Sequence, residues 1–210
     1  MRLLAVNVGR PRTVDWKGRR ITTSIFKSPV TGDVKVRRLN LKGDEQSDLT
    51  VHGGPDKAVY AYPQEHYAAW AAAMPGVEFA PASFGENLTT SGIRESDVEI
   101  GDRFRFGTAL LEAAQPRIPC YKLGIRLGRD EVVRQFVLMR MPGIYFRVIE
   151  EGTLRAGAEI EVVSRSASRL SVRDVFDALV GQPVGAEFAK RLAGSALPPD
   201  LRDTLLARYG

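Results

Sequence analysis

The sequence predicts a mainly β protein with helices, an α+β fold built around a barrel-like core. Three observations lead there. Short runs of β-forming residues recur from Leu3 to Ser164. Glycine turns punctuate those runs. Helical periodicity is brief until about residue 165, where it takes over. Many short alternating strands joined by glycine turns favour a sheet that curls on itself over a layered α/β arrangement.

The elements follow in order. Leu3–Val8, Ile21–Phe26 and Val34–Leu41 read as strands, with Gly32-Asp33 as the turn between the last two. Gly43 to Gly54 is a polar loop, and Ala58–Tyr62 is a short strand. Pro63–Ala73 reads as a helix with proline in its first turn, ended near Pro75-Gly76. Pro81 to Gly92 is a long irregular segment. Val98–Phe106 and Leu154–Val162 echo each other, each a glycine followed by alternating apolar residues. Leu110–Ala114 and Ile144–Ile149 supply further strands, and Cys120–Leu127 and Asp130–Met139 supply helices. Ser171–Leu179, Gly185–Leu192 and Pro199–Arg208 then read as three short helices, the first opened by a Ser171/Asp174 capping arrangement. The expected division is a barrel-like domain over 1–164 and a three-helix extension over 165–210.

Composition narrows the function. No stretch of about 20 apolar residues occurs, so no membrane span is expected. A single cysteine, Cys120, rules out an internal disulfide framework and any Fe–S cluster or Cys-rich zinc site held by this chain alone. An unpaired thiol fits a reducing, cytoplasmic setting. Residues 1–40 carry ten Lys/Arg against two Asp/Glu, whereas residues 41–100 carry three against ten. The basic start suits an anionic ligand, a phosphate or an acidic partner, and also suits a plain solvated surface. No nucleic-acid-binding module is recognisable, so no specific nucleic acid is expected as a partner. Phosphate-binding, dinucleotide, zinc-protease and serine-hydrolase motifs are likewise missing.

Three short blocks carry chemistry. Cys120 lies in Gln115-Pro116-Arg117-Ile118-Pro119-Cys120-Tyr121-Lys122, where Pro119 suits a first helical turn. A helix start and the cations Arg117 and Lys122 favour a thiolate, which serves equally as a soft-metal ligand or a nucleophile. His52 and Lys57 lie in Val51-His52-Gly53-Gly54-Pro55-Asp56-Lys57. There His52 suits proton exchange and Lys57 suits an anion. Asn87 and Thr89 lie in Phe84-Gly85-Glu86-Asn87-Leu88-Thr89, with groups suited to a heterocycle and a phosphate. His66, beside Tyr67 and Trp70, reads as structural.

Together these blocks resemble the MOSC domain family (molybdenum cofactor sulfurase C-terminal domain), in its YiiM-like branch. HGGPDKAVYAYPQEHYAAW at 52–70, FGENLTTSG at 84–92, IGDRFRFG at 100–107 and QPRIPCYKLG at 115–124 carry the resemblance, in the family's order. The likeness runs from about residue 1 to 163, and the tail resembles the branch's three-helix extension. The resemblance implies a molybdopterin-type molybdenum cofactor with Cys120 as the protein's metal ligand. It implies reduction of N-hydroxylated compounds, including hydroxylaminopurine base analogues. Within it, Lys57, Asn87, Thr89, Arg117 and Lys122 are expected to bind the cofactor, and His52 to donate a proton or position substrate. Without a flavin, nicotinamide or Fe–S motif here, electrons are expected from a separate flavin or Fe–S reductase. A homodimer is compatible with this reading, and the tail could pair copies, cover the pocket or dock the reductase.

Two other readings compete. The family also occurs at the end of pyridoxal-phosphate-dependent cofactor sulfurases, which implies a cofactor carrier or sulfur-transfer module without its own turnover. The residue types of Cys120, His52 and Asn87 also allow a thiol hydrolase or transferase.

Overall fold

A computed structural model describes residues 1–47 and 53–210. Thirteen strands and six α-helices are defined among them. In order these are β1 (Arg2–Val8), β2 (Arg12–Trp16), β3 (Arg19–Thr23), β4 (Ser28–Val30), β5 (Val34–Arg37), β6 (Asn40–Leu41), β7 (Val59–Pro63) and α1 (Tyr67–Ala73). There follow β8 (Leu88–Ser91), β9 (Arg103–Phe106), β10 (Ala109–Pro116), α2 (Tyr121–Leu127), α3 (Val132–Met139), β11 (Ile144–Glu150), β12 (Gly152–Leu154) and β13 (Ile160–Ser164). The last three are α4 (Val172–Leu179), α5 (Phe188–Ala193) and α6 (Pro199–Tyr209). The mixed α+β class is as expected.

The barrel is not. Eight strands form one sheet in the order β13-β9-β10-β11-β7-β8-β1-β4, and its two edge strands do not pair. The sheet does curl far enough for Arg2 to bridge Glu159. Leu3 N–H donates to the Ala158 carbonyl at 3.0 Å, and Ile160 N–H donates to that of Met1 at 3.1 Å. Closure stops there because β4 pairs with the second half of β1, from Val6 to Val8. One edge of β1 is thus divided between two neighbours, and no continuous ladder shuts the sheet.

Other differences are local. Val34–Leu41 is a tight hairpin, β5 paired with β6, rather than one strand. Pro63 closes β7, and a single 3-10 turn, Gln64–His66, precedes α1. The segment expected to be irregular contains β8, which runs parallel to β7. A parallel neighbour needs a crossover, and residues 64–87 with α1 supply it.

β7 organises the interior. All five of its residues are buried, as in a strand covered on both faces. Val59 and Ala61 enter one hydrophobic cluster with Leu88, Phe104, Phe106 and Phe146. The same cluster takes in Val172, Val175, Phe188 and Leu192 from the C-terminal helices. Tyr60 and Tyr62 point the other way, into a second cluster with Trp70, Phe84, Phe136 and Phe176. That second face supports the pocket. No helix among the described residues is long and apolar enough to cross a membrane.

Candidate functional site

The pocket lies where β10 ends and α2 begins. β10 is buried along its whole length and delivers Pro116, then Arg117, into the interior. The strand ends at Pro116, and after Pro119 Cys120 becomes the N-cap of α2, with an extended backbone at φ −129°. Cys120 is partly exposed. Lys122, in the first turn of α2, is buried against the same pocket. Lys57 arrives from a short turn, Pro55–Lys57, that follows Gly54. Arg147 pins that turn, donating from Nε to Asp56 Oδ1 at 2.7 Å and from Nη1 to Glu112 Oε1 at 2.8 Å.

Cys120, Lys57, Arg117, Lys122 and Asn87 therefore line one pocket, joined by Lys27, Asp44, Tyr60 and Tyr145. The space within it, open mouth included, is about 560 Å³. Among the described residues, four cationic side chains and one carboxylate line it, a balance that suits an anion.

The buried charges Arg117, Lys27 and Asp44 each have partners within the fold. Arg117 donates to the Phe84 carbonyl and lies 5.0 Å from the centre of the Tyr60 ring. Burial acts to lower its pKa, but the neighbouring Tyr60, Tyr145 and Cys120 outweigh that and raise it. A guanidinium in this position favours the thiolate form of a neighbouring thiol. Burial raises the Tyr145 hydroxyl, with Arg117 opposing. Burial likewise holds Tyr60 neutral, and its hydroxyl donates to the Pro142 carbonyl at 2.7 Å. Lys27 is paired with Asp44, and burial still lowers its pKa despite that carboxylate. Asp44 also accepts from the Gly9 N–H at 2.9 Å and from Asn87 Nδ2 at 2.9 Å.

Asn87 reaches the pocket wall with its amide already engaged. Its Oδ1 accepts from the Tyr60 N–H at 3.2 Å, and its Nδ2 donates to the Asn7 carbonyl at 3.3 Å besides Asp44. Thr89 is not brought to the pocket. It is wholly buried, accepting from Asn7 Nδ2 at 3.1 Å and donating to Glu86 Oε1 at 3.0 Å. His52 lies outside the described residues. His66 meets Glu95 at 2.8 Å, away from the pocket, in the structural role expected of it.

Sequence reading overlooked Lys27, Asp44 and Tyr145. Lys27 was visible as a lone cation after the apolar pair Ile25-Phe26. Asp44 and Tyr145 carried no local signal, because only the fold brings them to Cys120.

The sequence pattern of the MOSC domain matches residues 48–161. YflK of Bacillus subtilis is 43% identical over 171 residues, covering 81% of this chain and 77% of that protein. The chain belongs to the MOSC domain family. Its YiiM-like placement is supported by Escherichia coli YiiM, 42% identical over 145 residues, 68% of this chain and 65% of that protein. The crystal structure of YiiM from Geobacillus stearothermophilus superposes with a TM-score of 0.81 at 32% identity, covering 100% of this chain and 99% of that one. A Gibberella moniliformis protein named a reductase is 32% identical over 176 residues, 82% of this MOSC chain but only 31% of that protein.

Proposed function

We propose that the chain is a molybdenum-cofactor-dependent oxidoreductase that reduces N-hydroxylated compounds such as hydroxylaminopurine bases. One observation carries the reading. The only thiol of a MOSC chain shares its pocket with Lys57, Arg117, Lys122 and Lys27.

That donor set fits the cofactor. Thiolate is a soft ligand for a transition metal. Among the described residues, no group of three or more His, Cys, Asp or Glu could hold a metal ion. A metal on Cys120 would thus need at least part of its ligand set from a cofactor or from outside those residues. The cations suit a pterin phosphate through charge-assisted hydrogen bonds. The cofactor, when bound, supplies a two-electron metal couple able to accept an oxygen atom.

The chain's own residues do the rest. Cys120 would hold the metal, and the Arg117 cation would favour its thiolate form. Lys57 and Lys122 bind the phosphate. Asn87 fixes the wall by locking Asp44 and the Tyr60 backbone in place. Tyr60 and Tyr145, neutral through burial, present hydroxyl-bearing rings rather than charges to the pocket. His52 is the candidate proton donor, assigned from the sequence. The reaction is R–NHOH plus two electrons and two protons giving R–NH2 plus water. The electrons come from a separate reductase, since no cofactor motif for storing them is present in the sequence.

The test uses protein made in a cofactor-competent host, with dithionite-reduced methyl viologen as electron source and a hydroxylaminopurine as substrate. The expected result is one amine formed per two viologens oxidised, and loss of this activity in Cys120→Ala. No amine from the wild type, or equal rates from both proteins, contradicts the proposal.

A further inference from the structure

β2 and β3 form a hairpin that pairs with no other strand among the described residues. Its turn, Lys17-Gly18, has both residues at positive φ, 51° and 74°, as a tight two-residue turn requires. An isolated two-stranded hairpin is at best marginal in water. This one is held by few contacts with the body. At its tip Lys17 pairs with Asp130, just beyond α2. Near its root the Arg12 guanidinium lies 3.4 Å from the centre of the Phe26 ring, which Arg126 of α2 also approaches at 5.7 Å.

The arm stands beside the pocket. β3 runs straight into Thr23, Ser24 and Ile25, which line it. α2 starts at Cys120 and ends near the hairpin tip. The two elements thus diverge from the pocket and meet again at Lys17 and Asp130.

The arm is also strongly basic and exposed. Between residues 10 and 23 it carries Arg10, Arg12, Lys17, Arg19 and Arg20 against Asp15 alone. All five cations are exposed. Arg10 pairs with Glu45 at 3.6 Å, and Lys17 with Asp130. Neither Arg19 nor Arg20 has an ion-pair partner among the described residues. Trp16, opposite Arg19 in the ladder, is only half-buried beside Val14 and Ile21. Arginine and tryptophan are the residues that most often anchor protein interfaces.

We propose that the β2–β3 hairpin is the docking arm for an acidic electron-transfer protein that reduces the site. The inference rests on the reductase reading above, which requires two electrons per turnover from outside the chain. The partner is oxidised by those two electrons, and they and two protons end in the amine and water. A basic arm adjoining the pocket steers an acidic partner to it and sets its orientation. A second copy of this chain is the poorer occupant, because two such arms facing each other repel.

The test uses the molybdenum-loaded protein with flavodoxin, an acidic flavin protein, as the probe. Its affinity is measured by anisotropy of labelled flavodoxin at about 0.02 M and about 0.5 M salt, where screening differs strongly. The Arg19→Glu/Arg20→Glu variant should bind about tenfold more weakly or worse at low salt, with a flatter salt dependence. Its flavodoxin KM should rise by a similar factor, while viologen-driven turnover and molybdenum content stay at wild-type values. Arg19→Lys/Arg20→Lys should retain most of the binding. Equal affinity of wild type and the glutamate variant, or no binding of flavodoxin by wild type, overturns the proposal. So does sedimentation showing a wild-type dimer that the glutamate variant turns into monomer. Loss of viologen-driven turnover in the wild type itself counts against the reductase reading instead, and the affinity measurement still decides the docking arm.

Discussion

Both amide hydrogens of Asn87 are used inside the fold, on the Asn7 carbonyl and the Asp44 carboxylate. Its side chain therefore ties β1, the loop after β6 and β7 to the pocket wall. Asn87→Ala leaves the buried Asp44 oxygen and Tyr60 N–H without those partners and should cost about 2–4 kcal/mol, read by urea unfolding. Glu86 makes a parallel case behind the wall. Its two oxygens accept from Tyr67 Oη, the Ala82 and Phe84 N–H groups and Thr89 Oγ1. Burial raises its pKa above the ordinary 4.5, and the hydrogen bonds only partly offset that. The folded state then holds this proton more tightly than the unfolded chain. The Glu86 contribution to stability is therefore fully present below pH 4.5 and declines as pH rises through the elevated folded pKa. Chemical denaturation across that range should show this slope in the wild type and lack it in Glu86→Gln.

Gly85 immediately precedes Glu86 with φ 72°, and a Cβ there would meet Ile25 Cγ1 at 2.7 Å. Gly85→Ala should lose about 1–3 kcal/mol through backbone strain and that contact, measured as a lowered urea midpoint. At the start of α4, Ser171 Oγ accepts from the Asp174 N–H at 3.0 Å, and Asp174 Oδ2 accepts from the Ser171 N–H at 3.1 Å. Ser171→Ala should cost about 1 kcal/mol in the same assay. That capping box was legible in the sequence because its signal is local. So were β1, β7, β11 and the helix that begins after Cys120, whose periodicity or proline markers lie within a few residues. The β2–β3 hairpin was half-seen, since Arg12–Trp16 is too polar to stand out as a strand. β8 was hidden in a polar segment because its parallel partner, β7, lies 25 residues or more away in the chain. The open sheet was not legible either, because it depends on how β4 and the Gly157–Ile160 segment share one edge of β1.

Across the whole molecule the charge asymmetry of the sequence becomes a spatial one. The basic start supplies both the exposed hairpin and the buried Lys27, and the later blocks supply Lys57, Arg117 and Lys122. Residues far apart in the chain meet around Cys120, and that convergence distinguishes a site from a lone thiol. The family was legible from four motif blocks, and the fold places Cys120, Lys57, Arg117, Lys122 and Asn87 of those blocks on one pocket. It leaves Thr89 in the core, where a short polar side chain read from sequence alone looks the same as a ligand-binding one. The most direct test of the account is the molybdenum and pterin content of protein purified from a cofactor-competent host, with Cys120→Ala prepared alongside. The account predicts molybdenum approaching one atom per chain in the wild type and a loss of most of it in the variant, with both proteins equally folded. Equal molybdenum in the two, or none in the wild type, contradicts it.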